Sequence, residues 1–195
     1  MDNAKPTTPF DKDKMKHVIL YFLEHINNLH LGRTKLMKLL YYVDFDNFQK
    51  FGAPVTGARY RKLPFGPVPD DAEAVIEEMV KKQDVESVET AIYQNNKPTK
   101  YKQHRLICVK AKFNPALFSG PEMETLERVA KIWENATAEE MKQASHREAP
   151  WAATEHGKAI DYEMAHYRSP AYDGEEVDAL LAASEGFSKF VSSLR

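Results

Sequence analysis

Residues 34–52, TKLMKLLYYVDFDNFQKFG, constrain the fold more than any other stretch. Leu36, Met37, Leu39, Leu40, Tyr41, Tyr42, Val43, Phe45 and Phe48 fall on nearly every side of a helix. A surface helix confines its apolar residues to one stripe, whereas a helix that is apolar all round has to be surrounded. Other elements must therefore pack about this segment, which is expected to be the centre of the core. Thr34 is placed to cap its start and Gly52 to stop it. Asp44 and Asp46 interrupt the apolar run. Residues two apart on a helix do not share a face, so these carboxylates cannot form a close acid–base pair. One is expected at an exposed edge, and the other as a buried carboxylate paired with Arg33, Arg59 or Arg61.

The flanking sequence supplies the packing partners. Met15, Val18, Ile19, Phe22, Leu23 and Ile26 recur at helical spacing and predict a helix over about 13–28. TGARYRKL, about 56–63, reads as a short strand. VPDDAEAVIEEMVKKQ reads as a helix with Pro69 in its first turn, acids at its start and lysines at its end, the order the helix dipole favours. VESVETAIY and YKQHRLICVKA form a hairpin about QNNKPTK. Ser119 or Gly120 with Pro121 opens another helix, and Thr137 with Glu140 makes a capping box before AEEMKQAS. A helical piece near 157–166 and a terminal helix carrying Val177, Leu180, Leu181, Phe187, Val191 and Leu194 complete the chain.

The expected fold is α+β and mainly helical, a single domain with a central buried helix. Its small antiparallel sheet comprises the strand at about 56–63 and the hairpin at about 85–110. A flexible segment, 1–12, precedes the domain at 13–168. An extension, 169–195, ends in a helix packed on the same domain.

RKLPFGPVPD, Arg61–Asp70, holds three prolines and a glycine. Pro64 drives Leu63 out of helical geometry, and Gly66 can take a positive φ and reverse the chain before Pro67. The segment then ties strand to helix with little slack.

Signals for chemistry are sparse. A formal charge of −2 over 195 residues does not describe a strongly basic nucleic-acid binder. The one cysteine, Cys108, excludes an intrachain disulfide, reads as a buried core thiol and fits a reducing compartment. No apolar run approaches the roughly 20 residues of a membrane span, and the start of the chain does not read as a signal peptide; a soluble, cytoplasmic protein is expected. None of the seven histidines falls in H-E-x-x-H or zinc spacing, and phosphate-binding loops and a nucleophile elbow are missing. No catalytic residue, metal or cofactor is expected. Ser145, His146 and Glu148 bring a hydroxyl, an imidazole and a carboxylate together, but His146 reads as a helix-end residue near the last carbonyls.

A helix followed by a hairpin can mimic a winged helix, with Lys97, Lys100, Lys102 and Arg105 as a basic wing. A DNA-binding regulator is therefore the alternative. Against it, the helix before the hairpin carries Asp70, Asp71, Glu73, Glu77 and Glu78, which would repel phosphates.

The run from Gly32 to Pro69 resembles the Panacea-domain family, SocA-like antitoxins of bacteria and phages. The resemblance is carried by TKLMKLLYYVDF, then TG..Y, then GPVP, and is continued by SHREAPW at Ser145–Trp151. It covers most of residues 14–165. It implies a non-enzymatic protein that neutralises a cognate toxin by direct contact, or that delivers the toxin to a ClpXP-type protease. Interface centres favour aromatic residues and arginine. Tyr60, Arg61, Phe65, Pro67, His146 and Trp151 are the candidate partner-binding residues, with Arg61 the best placed for exposure.

Overall fold

The computed structural model describes residues 8–26, 31–94 and 97–168. Helix α2 (Arg33–Phe51) runs through its centre, and every residue from Lys35 to Phe48 is buried. It begins two residues earlier than Thr34 suggests: Gly32 is the N-cap, with no side-chain capping bond. A Cβ on Gly32 would lie 2.7 Å from Gln103 Nε2, so a larger residue there would have to displace the Gln103 side chain. At the other end Gly52 adopts the expected left-handed conformation, φ 75°.

Helix α1 (Lys12–His25) packs on α2 through Met15, Val18, Ile19 and Phe22, all fully buried. Asp11 caps α1 by accepting from Lys14 N–H, and its own N–H donates to the Thr56 carbonyl at 2.8 Å. Helices α4 (Gly120–Trp133) and α5 (Ala138–Arg147) close further sides of α2. Both open with the reciprocal capping box, Ser119 with Glu122 and Thr137 with Glu140. A short helix, α6 (Ala149–Ala152), and a 3-10 turn (Tyr162–Tyr167) follow. The terminal helix expected beyond residue 169 lies outside the described residues.

The fold is α+β and mainly helical, as expected, with the strands in two separate hairpins. In the first, β1 (Tyr60–Leu63) pairs antiparallel with β2 (Gly66–Pro69), a strand absent from the sequence reading. Pro67 and Pro69 face Lys62 and Tyr60. Proline cannot donate, so these must be the non-bonded pairs of the ladder, and the missing N–H groups cost the hairpin nothing. Helix α3 (Ala72–Lys81) starts only after β2, which places Pro69 in a strand rather than in the first turn of the helix. The second hairpin joins β3 (Val85–Gln94) to β4 (Lys97–Cys108). Cys108 in β4 is partly buried, and burial raises its thiol pKa.

Candidate partner-binding face

The two carboxylates of α2 are both buried and head separate polar networks. Asp44 accepts from the Thr56 N–H at 2.6 Å, the Thr56 hydroxyl at 2.5 Å and the Tyr60 hydroxyl at 2.8 Å. Burial raises its pKa to about 6, and the bonds from Thr56 and Tyr60 oppose that rise. Its partners are hydroxyls and an amide, where the sequence suggested an arginine. Asp46, 7% exposed, accepts from Arg168 Nη1 at 2.6 Å. Arg168 Nη2 donates to Glu148 at 2.9 Å, and Glu148 also accepts from the Tyr41 hydroxyl at 2.8 Å. Neither aspartate forms the expected exposed edge, because α2 has none along this stretch. Arg168 lies 122 positions from Asp46, and no local pattern in the sequence announces it.

These networks bind TKLMKLLYYVDF to SHREAPW from the inside. What the same segments leave on the surface is the β1–β2 hairpin and the turn from α5 into α6. Phe65 occupies the hairpin tip and is 67% exposed. Gly66, beside it, has φ 99°. The hairpin is held from three directions. The carbonyl of Pro67 accepts from the buried ammonium of Lys38 at 3.0 Å. The outer edge of β1 is occupied by the chain at 157–160: Lys62 N–H donates to Lys158 O at 3.0 Å, Gly157 N–H to Lys62 O at 2.8 Å and Ile160 N–H to Tyr60 O at 2.8 Å. The Trp151 indole N–H donates to the Leu63 carbonyl at 3.4 Å.

Trp151 is stacked against His146, ring centroids 3.7 Å apart and planes 10° from parallel. Lys62 Nζ lies 4.0 Å from the indole centroid, within cation–π range. Lys142 Nζ lies 5.8 Å from the Phe65 ring. The His146 pKa is lowered by burial and by the charges of Lys142, Lys38 and Lys62, with Glu139 acting the other way. The Ser145 hydroxyl donates to the carbonyl of Lys142 at 2.9 Å within its own helix, so the Ser-His-Glu grouping is part of a helix end and not a relay.

Of the six residues predicted to contact a partner, the structure gathers four about this face: Phe65, His146, Trp151 and Arg61. Tyr60 and Pro67 are buried, Tyr60 completely, its ring packed edge-on to Tyr41 and Phe45. They serve as core and cannot reach a partner's surface. Arg61 is half-exposed but committed, Nε to Asp70 at 2.7 Å and Nη1 to the Gly157 carbonyl at 3.3 Å. Lys62 and Lys142 were missed because a lysine in sequence gives no sign of which ring it will lie over.

Of the four basic residues read as a wing, Lys102 is not a free cation. Lys102 pairs with Glu89 at 2.6 Å, with His104 beside the same carboxylate. Arg105 is half-buried. The side chains of Lys97 and Lys100 lie outside the described residues. No group of three or more His, Cys, Asp or Glu among the described residues gathers to hold a metal ion, and no described helix is long and apolar enough to cross a membrane.

The fold and the face combine a buried polar interior that fixes the chain with a pinned hairpin that displays aromatic and cationic side chains. The chain belongs to the SocA-like antitoxin, Panacea-domain family, whose model matches residues 36–152. The match contains residues 36–45 of the first segment joined by the Tyr41–Glu148 bond, all of the second, and the whole of the β1–β2 hairpin. No curated protein and no solved structure matches the chain.

Proposed function

We propose that this protein is an antitoxin that neutralises a cognate toxin by direct binding, with Phe65 and the His146–Trp151 stack as the centre of the contact. Membership of an antitoxin family supports the general role. The observation that carries the docking site is the 67% exposure of Phe65 on a hairpin fixed by Lys38, Trp151 and the 157–160 segment. A large aromatic side chain held out on a rigid support loses little conformational entropy on binding, which is the usual condition for an interface anchor.

The test is co-expression with the toxic product of the adjacent gene. The wild type should restore growth and co-purify with that product, and Phe65→Glu should do neither while remaining folded. A folded Phe65→Glu protein that still rescues growth and retains the toxin would move the contact elsewhere. A neighbouring toxin that kills in the presence of excess wild type would end the antitoxin reading for that pair. Rescue that depends on ClpXP would assign delivery to the protease, and rescue without it would assign sequestration.

A further inference from the structure

Cations outnumber carboxylates around the exposed rings, although the chain as a whole carries −2. Lys62 lies over Trp151 with the Ala152 carbonyl 3.5 Å from its ammonium, and no carboxylate among the described residues pairs with it. Lys142 lies beside Phe65 and pairs with Glu139 of its own helix at 3.2 Å. Beneath both, Lys38 is 1% exposed and bonds a carbonyl, again with no carboxylate partner among the described residues. Burial and then the charge of Lys142 lower the Lys38 pKa to about 8. A positive charge in a low-dielectric interior projects its field more strongly than one in water.

The backbone around the face narrows the mode of contact. Both edges of β1 are filled, by β2 and by residues 157–160. The outer edge of β2 holds Pro67 and Pro69, which are buried and have no N–H to offer. A partner cannot add a strand here and has to be recognised through side chains.

We propose that this face receives an acidic segment of the partner protein, with a carboxylate between Lys62 and Lys142 and an apolar side chain over Phe65. The inference rests on the reading of this face as the partner-binding surface and adds the chemistry of what it binds. Three lysines set around two rings match one or two carboxylates. A nucleic-acid strand asks instead for a line of cations that follows its backbone.

The experiment uses the 15N-labelled protein and three probes: an eight-residue peptide of Glu and Asp about a central Phe, its Gln and Asn counterpart, and octathymidylate. The acidic peptide should shift the Trp151 indole and Phe65 amide signals, and should bind at least ten-fold more tightly than the amide counterpart. Its affinity should fall several-fold between 50 and 300 mM NaCl, as screening shortens the reach of the lysines. Lys62→Gln with Lys142→Gln should remove the preference for the acidic peptide, with an unchanged near-UV spectrum confirming the fold. Equal binding of the two peptides, no shift with either, or tighter binding of octathymidylate would overturn the proposal. Co-purification with the toxin separates the two readings. Toxin lost by Phe65→Glu but kept by the double lysine variant retains the face and overturns its acidic preference. Toxin kept by both variants overturns the face itself.

Discussion

Substitution of Gly66 should expose how the hairpin is held. Its φ of 99° lies where side chains are strained, and a Cβ built there meets Lys38 Cε at 2.7 Å, Lys38 Nζ at 3.0 Å and Ser145 Oγ at 3.0 Å. The strained backbone costs about 1–3 kcal/mol. The overlap adds about 1–3 kcal/mol of overpacking. A lysine tip ordinarily moves aside at little cost, but this one is enclosed and bonded to Pro67. Gly66→Ala should therefore lower stability by about 2–6 kcal/mol, and Gly66→Val, β-branched, by more. At about 2–4 °C per kcal/mol for a chain of this size, the Ala variant should melt roughly 4–24 °C lower. Urea denaturation of wild type, Gly66→Ala, Lys38→Ala and the double variant makes a cycle. If the overlap matters, Gly66→Ala should cost about 1 kcal/mol less in the Lys38→Ala background. A Gly66→Ala protein within 0.5 kcal/mol of wild type, by the roughly 0.3–0.5 kcal/mol resolution of such cycles, would refute both the strain and the contact.

Three further perturbations follow from the buried polar groups. Asp44 has a folded pKa of about 6 against an ordinary 3.8, so its contribution is fully present below about pH 4 and is lost as pH rises through 6. The loss is about 3 kcal/mol at 1.36 kcal/mol per pKa unit; urea midpoints should show wild type losing stability relative to Asp44→Asn between pH 4.5 and 7, and a constant difference would contradict the assignment. Arg168→Ala leaves Asp46 and Glu148 buried without their shared cation, which should cost about 3–5 kcal/mol, read by thermal melting; a melting point equal to wild type would contradict it. Arg61→Glu, at the candidate read as best placed for exposure, sets a second carboxylate beside Asp70 and breaks the tie to Gly157. Because the side chain is 40% exposed, the loss should be only about 1 kcal/mol, read as a melting point a few degrees lower, and wild-type stability would show the ion pair to be idle.

What the sequence disclosed and what it hid divide along physical lines. Helices α1, α2, α4 and α5 were legible because each rests on a local signal: apolar spacing, the Gly52 stop, and the Ser119–Glu122 and Thr137–Glu140 boxes. Strand β2 was hidden because two prolines in four residues argue against a strand, and only the register reveals that both occupy non-bonded positions. The partners of Asp44, Asp46 and Glu148 were hidden for a different reason. Each bond joins residues far apart in the chain, and a buried acid does not announce which donor will reach it. The same point bears on reading motifs as sites. Tyr41, Asp44, Tyr60 and Glu148 stand out within the matching segments, and all four turn inward, where they hold α2, the hairpin and the 3-10 turn to one another. A motif residue in this domain is therefore as readily a fastener as a contact. Exposure separates the two roles: of the aromatic residues in the hairpin, Tyr60 is wholly enclosed and Phe65 is two-thirds exposed. The hairpin converts interior order into surface display. Its buried end is fixed by the core, and its tip carries Phe65 to where Lys62, Lys142 and Trp151 are already assembled.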